Sequence, residues 1–237
     1  MSKVPSLPPP SVSKKELRAQ KVVRAAVVLA RLGAAMPEAK IELDYRTPLQ
    51  LLVAVILSAQ CTDRRVNLVT PKLFADFPTA ESYANATPAQ IVPYINSLGL
   101  FRNKAKSLVH LGKALQQLHD SKVPIDRAAL VKLPGVGPKT AGVVTMHLGG
   151  DQAFPVDTHV LRLSRRLGFS RNLTPDAVES DLQKLWPPTD WFMAHQLVIW
   201  HGRRVCHARA PECHRCVVLD LCPRIAVKSV SPPKGPG

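Results

Sequence analysis

Hydrophobic residues along the chain recur with a helical period rather than the alternation of strands. Leu108, Leu111, Leu115 and Leu118 are spaced three or four positions apart, as on one face of a helix. The run LQLLVAVILSAQ (49–60) is almost wholly apolar and follows Thr47-Pro48, which predicts a buried helix too short to cross a bilayer. No alternating run of strand length stands out, so the pattern predicts an all-α fold.

Capping signals and apolar periodicity mark out a series of predicted helices. Thr and Asp residues precede several of them, and Thr87-Pro88-Ala89-Gln90 resembles a capping box. The predicted helices are 14–35, 49–60, 64–74 (after Thr62-Asp63), one opening at 87–90, 101–119, 127–133 (after Asp126), 138–148, 158–168 (after Asp157), one opening at 174–177, and 195–202.

The N-terminal residues do not have the pattern of a targeting segment. Residues 1–13 are rich in proline and serine and are predicted to be disordered. The segment VPSLPPPSVS would break the amphipathic helix of a transit peptide, and no signal-peptide cleavage pattern follows. No apolar run is long enough to span a membrane. We therefore expect an intracellular protein that does not bind membranes.

Composition narrows the class of partner. With 237 residues, 46% of them apolar, the chain is long enough for one large or two compact domains, and disorder throughout is excluded. Lys and Arg number 32 against 17 acidic residues, a formal charge of +15. Such an excess favours a polyanionic partner, with nucleic acid as the leading candidate. A merely soluble basic protein remains the alternative.

The stretch LPGVGPK (133–139) lies between two predicted helices. Gly135 and Gly137 allow backbone conformations closed to other residues and a close approach by a partner. Successive N–H groups beside a helix N-terminus form an anion site, to which a DNA phosphate is suited. Because Pro138 is well placed at the first helical position, Lys139 falls in the first turn. A tight turn without a ligand is the alternative.

Lys139 and Asp157 form a candidate catalytic pair. The helix dipole disfavours a cation at Lys139 by roughly 0.3–1 kcal/mol, and a neutral amine can attack a carbon to form a Schiff base. Asp157, a candidate N-cap, would supply a fixed carboxylate that stabilises a cationic sugar or moves protons. Read singly, Lys139 is a phosphate contact and Asp157 only a cap.

Four of the five cysteines form the pattern C-x6-C-x2-C-x5-C at Cys206, Cys213, Cys216 and Cys222. Such a set binds zinc or an iron–sulfur cluster. A zinc ribbon normally has two C-x2-C pairs, and because only one is present here the spacing favours iron–sulfur. Four unconnected structural cysteines are the remaining alternative. The surrounding arginines fit phosphate binding; they are Arg203, Arg204, Arg209 and Arg215.

The string LPGVGPKTA resembles the helix-hairpin-helix motif of DNA glycosylases. This string, Lys139, Asp157 and the cysteine spacing are together similar to the pattern of the endonuclease III family. The resemblance covers residues 14–225. The resemblance implies a bifunctional DNA N-glycosylase and abasic-site lyase of base excision repair, with Lys139 as the Schiff-base lysine and Asp157 as the catalytic aspartate. It also implies a [4Fe-4S] cluster on the four clustered cysteines and double-stranded DNA carrying an oxidised pyrimidine or an abasic site as substrate.

The same resemblance implies two helical domains flanking a DNA-binding cleft. Residues 41–151 would form a six-helix barrel containing the helix-hairpin-helix at about 126–149. Residues 14–40 would join an iron–sulfur domain at 152–225, with tails at 1–13 and 226–237. We further expect a monomer in the cytoplasm or nucleoid of a prokaryote.

Reaching a base inside the duplex requires further residues, since the target nucleotide must be flipped out. By resemblance Gln60 fills the gap, Leu100 is the wedge beside the orphaned base and His159 is a further DNA contact. Read from the sequence alone, these are a polar helix end, a packed loop residue and a surface histidine. Four arginines form either a DNA-facing stripe or a solvated helix face; they are Arg162, Arg165, Arg166 and Arg171.

Two residues depart from the family pattern, and two other functions remain open. Cys61 replaces what is often a small inert residue, and Pro138 occupies a position that is often basic. The alternatives are a monofunctional glycosylase of the same fold and a non-catalytic DNA-binding module that uses the hairpin as a phosphate clamp and the cysteines to bind zinc.

Overall fold

The computed structural model describes residues 16–150, 153–227 and 230. The predicted disordered tail at 1–13 and most of the C-terminal tail at 226–237 lie outside these residues. Two compact units make up the chain: a discontinuous unit, Met1–Lys40 with Phe154–Gly237, and a continuous unit, Ile41–Ala153.

Every regular element in the described part of the chain is a helix, which confirms the all-α prediction. The α-helices are α1 (Arg18–Ala35), α2 (Pro48–Ser58), α3 (Asp63–Asp76), α4 (Ala80–Asn85), α5 (Pro88–Ile95), α6 (Phe101–His119), α7 (Arg127–Val131), α8 (Pro138–Leu148), α9 (Thr158–Arg166), α10 (Pro175–Gln183) and α11 (Pro188–Arg204). Two short 3-10 helices, Cys213–Arg215 and Leu219–Leu221, follow in the cysteine-rich segment.

Differences from the sequence prediction have local causes. Helix α4 was missed because it is short; the Thr79 hydroxyl accepts from the Ser82 N–H at 3.1 Å and closes its first turn. Helix α11 begins at Pro188 rather than at 195, since Pro188 fits the first position of a helix. The capping prediction at Thr87 is confirmed: Gln90 Oε1 accepts from the Thr87 N–H at 2.7 Å.

The continuous unit is built around α2. Its residues from Leu51 to Leu57 are all buried, as the apolar run predicted. The leucine stripe of α6 faces the same core through Leu108, Leu111 and Leu115, while α8 contributes Ala141 and Val144. Because α2 is buried on all sides, the chain emerges from it at a fixed place, immediately before Gln60.

The discontinuous unit joins the start of the chain to its last third. Phe154 stacks on Trp186 with ring centroids 5.8 Å apart, and the Trp186 indole donates to the Ala25 carbonyl of α1 at 3.1 Å. The buried Arg24 guanidinium donates to the carbonyls of Leu167 and Leu221 at 2.8 and 3.0 Å. These contacts hold α1 against the segment that carries the cysteines.

None of the helices described is both long and apolar enough to cross a membrane.

Candidate active site

The hairpin between α7 and α8 is a tight turn that depends on Gly135. This residue has φ +80°, a conformation that favours glycine. A Cβ built on it would lie 2.9 Å from the Ser107 Cβ of α6 and 3.5 Å from Ile56 of α2. Gly135 therefore serves two purposes, because it allows both the turn and the close packing of the hairpin on its own unit.

Gly137 has a different environment. Its φ is −90°, which any residue adopts, and a Cβ there would meet no atom within 4 Å. The residue is the N-cap of α8, so the N–H groups of the first turn are close by. Since no neighbour among the described residues requires glycine here, its smallness fits the close approach of an outside group such as a phosphate.

Lys139 lies in the first turn of α8, one residue after Pro138, as the sequence predicted. Its side chain is exposed. An exposed amine in the first turn, beside the N–H groups of the hairpin, is accessible to a polyanion bound at that helix end.

Asp157 is the N-cap of α9, and its Oδ1 accepts from the Val160 N–H at 2.8 Å. The predicted cap is therefore confirmed. The residue is half-buried, and with one oxygen bound by the backbone the carboxylate has a fixed orientation. This arrangement leaves the second oxygen for another use.

His159, two residues further along, is held from the side by Arg162. The Arg162 Nη2 donates to the His159 Nδ1 at 3.1 Å and to the Gly202 carbonyl at 2.9 Å. Burial lowers the pKa of His159, and the charges of Arg162 and Arg203 lower it further, against the opposing effect of Asp157. A Cβ on Gly202 would lie 3.0 Å from that ring nitrogen, so glycine gives the ring its space.

Gln60 and Leu100 both adopt the left-handed conformation, with φ 55° and 59°. Gln60 follows the end of α2, and Leu100 is the N-cap of α6 with a side chain that is 52% exposed. Left-handed backbone at a residue other than glycine costs about 1–2 kcal/mol and clusters at functional sites. Both residues belong to the continuous unit, as does the hairpin.

The four clustered cysteines line one cavity in the discontinuous unit. Apolar side chains that include Leu163, Leu167, Val205 and Val218 complete its wall. Burial raises the pKa of Cys216 to about 12 and that of Cys222 to about 11, and it also raises the pKa of Cys213.

The donors around the sulfurs fit a thiolate-bound group. Arg166 Nη1 donates to the Cys206 Sγ at 3.2 Å, and His201 Nε2 lies 3.5 Å from the Cys216 Sγ. In residues 16–150, 153–227 and 230 no three His, Cys, Asp or Glu side chains are arranged to hold a metal ion.

Comparison with known proteins identifies the family. Residues 53–188 match the HhH-GPD superfamily of base excision DNA repair proteins. Endonuclease III of Synechocystis sp. is 48% identical over 86% of this chain and 94% of its own length, and that of Bacillus subtilis is 44% identical over 82% and 89%. The chain belongs to the endonuclease III family. The Escherichia coli endonuclease III is 38% identical over 82% of this chain and 92% of its own.

Solved structures support the same assignment. A trapped covalent intermediate of an endonuclease III with DNA has a TM-score of 0.81 and 42% identity, over 85% of this chain and 95% of that one. A thermostable thymine-DNA glycosylase, 22% identical with a TM-score of 0.76 over 84% of this chain and 95% of its own, shares the fold. This endonuclease III homologue is a DNA glycosylase and abasic-site lyase of base excision repair.

The prediction for the arginines of α9 is wrong in part. Arg166 is buried, and besides the Cys206 sulfur it binds the carbonyls of His207 and Ala208 at 2.6 and 2.9 Å. Arg162 donates to the Cys206 carbonyl at 3.2 Å. Neither forms a DNA-facing stripe or a solvated face, because the cysteine segment takes up their donors. Arg165 and Arg171 are exposed.

Arg203 and Arg204 end α11, and both are half-buried. The Arg204 guanidinium lies over the Trp200 ring, 3.5 Å from its centroid, and its carbonyl accepts from Arg215. Contacts within the chain therefore hold Arg204 at the end of α11.

Lys104 is a functional candidate that the sequence did not predict; it is buried in the continuous unit beside the Gln60 turn. A signal was present, because Lys104 continues the apolar stripe of α6 four residues before Leu108. A lysine at such a position is buried and must find acceptors inside the fold.

Proposed function

We propose that Lys139 is the nucleophile and Schiff-base residue of this enzyme, and that Asp157 is the carboxylate that works with it. One observation supports this most: Lys139 is exposed in the first turn of α8, directly after a hairpin shaped for a phosphate. A homologous endonuclease III has been trapped as a covalent intermediate with DNA. A covalent intermediate needs a nucleophile, and a lysine amine gives the Schiff base that lyase chemistry uses.

The reaction proceeds by displacement and elimination. The neutral Lys139 amine attacks C1′ of the damaged nucleoside, the C1′–N bond breaks, and the base leaves with a proton. The C1′–O4′ bond of the sugar then breaks, O4′ takes up a proton, and the lone pair of the Lys139 nitrogen forms the C1′=N bond of the Schiff base, which acidifies C2′. Loss of a C2′ proton expels the 3′ phosphate, and water returns the amine by hydrolysis.

Asp157 suits the charged steps. Its carboxylate stabilises the positive charge that develops on the sugar, and it can take up and release protons between attack and elimination. The Val160 N–H holds one oxygen, so the carboxylate enters the reaction with its orientation set. A fixed group of this kind needs no rearrangement when charge develops.

The substrate is double-stranded DNA with an oxidised pyrimidine or an abasic site. Its nucleotide is flipped out at a cost of a few kcal/mol, Gln60 fills the gap and Leu100 wedges beside the orphaned base. The left-handed backbone and the exposure of Leu100 support these roles. The remaining DNA contacts are assigned to Gly135, Gly137, His159, Arg203 and Arg204.

The four clustered cysteines are proposed to hold a [4Fe-4S] cluster. Four soft sulfur donors on one apolar cavity, two of them contacted by Arg166 and His201, support the assignment. Held by these cysteines, a cluster would give structural support to the cationic segment, and the bond-breaking steps would need only Lys139 and Asp157. Purified protein should be brown, and Cys213→Ser should lower stability and DNA affinity together. Full affinity in protein without the cluster would contradict this role.

The domain assignment follows from these roles. We assign residues 41–151 to the barrel with the helix-hairpin-helix, and 14–40 with 152–225 to the cluster domain. The protein works as a monomer in the cytoplasm or nucleoid of a prokaryote; the organisms of its endonuclease III relatives, Synechocystis sp., Bacillus subtilis and Escherichia coli, support the prokaryotic source. Sedimentation of the protein alone and with one DNA duplex tests the monomer.

Borohydride trapping on abasic-site DNA tests the catalytic proposal. Reduction of the Schiff base should leave a covalent adduct, which Lys139→Gln abolishes without lowering the melting temperature. Lys132→Gln, which removes a charge from another exposed lysine just before the hairpin, is the control and should retain the adduct.

Other outcomes separate the alternatives. Base release without an adduct indicates a monofunctional glycosylase, and binding without either reaction indicates a DNA-binding module. If Arg and Lys contacts to phosphates dominate affinity, binding should weaken steeply as salt increases.

A further inference from the structure

Lys104 lies at the start of α6 and is only 5% exposed, yet its amine is fully engaged. Its Nζ donates to the carbonyls of Leu57 and Ala59 at 2.9 and 2.8 Å. These carbonyls lie at the C-terminal end of α2, where helix groups lack partners within the helix. The side chain therefore connects two helices that are distant in sequence.

The position suits a cation. The C-terminal end of a helix carries partial negative charge, and lysine side chains near it bind its last carbonyls. Two carbonyl acceptors also offset the cost of removing the ammonium from water. The two hydrogen bonds offset this desolvation cost only when both carbonyls lie within reach of the Lys104 Nζ. Lys104 therefore favours one position of the end of α2 relative to the start of α6.

The two residues proposed to enter DNA are attached to these ends. Gln60 directly follows Ala59, whose carbonyl Lys104 binds. Leu100 precedes α6, and its carbonyl accepts from the Lys104 N–H at 3.0 Å. One residue thus contacts both turns, through its side chain on one side and its backbone on the other.

Cys61 completes the connection. Its Sγ accepts from the Gly99 N–H at 3.2 Å and lies 3.4 Å from the Lys104 Nζ. The residues on the far sides of Gln60 and Leu100 are therefore joined as well. Strained backbone persists only where its surroundings determine it, and these contacts supply that constraint at both turns.

We propose that Lys104, assisted by Cys61, is a positioning residue that sets the two DNA-inserting turns in one fixed arrangement. The inference depends on the proposed roles of Gln60 and Leu100. Lys104 does not touch the reacting atoms. Its contribution is to present both side chains together when a nucleotide leaves the stack, so it matters for duplex substrates and not for the chemistry itself.

A comparison of duplex and single-stranded abasic DNA tests this. Single-stranded DNA has no gap to fill, so strand cleavage there depends on Lys139 and not on the two turns. Lys104→Met should lower kcat/KM on duplex DNA about tenfold and leave cleavage of the single strand within about twofold. Lys106→Met, which removes a charge from an exposed lysine of the same helix, is the control and should not change the ratio.

Cys61→Ala gives a second variant in case Lys104→Met does not fold. It should lower the duplex-to-single-strand ratio about threefold, and Cys61→Ser, which retains an acceptor for Gly99, should restore it. An unchanged ratio in the folded Lys104 variant, or in Cys61→Ala if that alone folds, overturns the inference. Equal losses on both substrates also overturn it, since they indicate general damage.

Gln60→Ala and Leu100→Ala distinguish this inference from the proposed function. Both should show the duplex-specific loss. If they do and Lys104→Met does not, the positioning role is wrong while the insertion roles stand. If neither Gln60→Ala nor Leu100→Ala shows the duplex-specific loss, the insertion roles themselves are wrong.

Discussion

Two lysines of the continuous unit meet helix ends of opposite polarity. Lys139 is exposed in the first turn of α8, where the dipole is positive, and Lys104 is buried at the last carbonyls of α2, where it is negative. The fold satisfies one amine internally and leaves the other accessible. An amine that carbonyls hold is taken up by the fold, whereas an amine in an unfavourable helix field stays accessible to a substrate.

The two glycines of the hairpin also differ in their surroundings. Gly135 is required by its φ and by the packing of the turn on Ser107, while Gly137 faces open space. The hairpin therefore has one side that belongs to the fold and one that is available to a partner.

The largest effect is expected when Lys139 retains its charge and loses its reactive amine. Lys139→Arg should lower strand cleavage of abasic DNA by about 10³-fold or more, because guanidinium stays protonated and forms no Schiff base. DNA affinity and its salt dependence should stay near those of the wild type in filter binding. Cleavage close to the wild-type rate would show that charge alone matters at this position.

The stability of Met variants gives the second test, and the two lysines should have opposite signs. Lys104→Met leaves two carbonyls without a donor and should lower the free energy of unfolding by about 1–3 kcal/mol. Lys139→Met removes a cation from the positive helix end and should raise it by about 0.3–1 kcal/mol. Urea unfolding measures both, and changes of the same sign would remove the contrast.

Alanine at the two hairpin glycines should separate stability from binding. Gly135→Ala should lower the free energy of unfolding by about 1–2 kcal/mol, since alanine is strained at positive φ and its Cβ would crowd Ser107. Gly137→Ala should leave stability unchanged or raise it by up to about 1 kcal/mol. Its DNA affinity should nevertheless fall, and undiminished affinity would argue against a phosphate at this point.

The smallest effect concerns His147, at the other end of α8. Burial lowers its pKa below 6.5, the ordinary value for histidine, despite the favourable helix end and the hydrogen bond to the Val143 carbonyl. Between pH 6.5 and the lowered pKa, the unfolded chain binds more protons than the folded chain. The free energy of unfolding should therefore decrease as the pH is lowered through this window. His147→Gln should flatten that part of the pH profile of unfolding by a fraction of one proton. An unchanged slope would assign the effect to other groups.

The helices were accessible from sequence because their signals are local. The stripe of α6 and the Pro138 start of α8 gave bounds that match the structure, and the Asp157 cap was confirmed by its hydrogen bond. The arginines of α9 show the opposite case. The sequence around Arg166 is compatible both with a solvent-facing side chain and with a buried one. Only its contacts with residues 206–208 show that it is buried.

Three features could be predicted from residue order alone: the all-α class, the hairpin with Lys139, and the cysteine spacing that resembles an iron–sulfur loop. These depend on periodicity, on glycine and proline conformation, and on donor type, all of which act over a few residues. Two features could be seen only in the folded chain. Lys104 caps α2, and Gly137 faces open space whereas Gly135 does not. Those outcomes depend on which distant carbonyls and side chains come within contact distance, because burial and hydrogen bonding are satisfied by whatever the folded chain brings together.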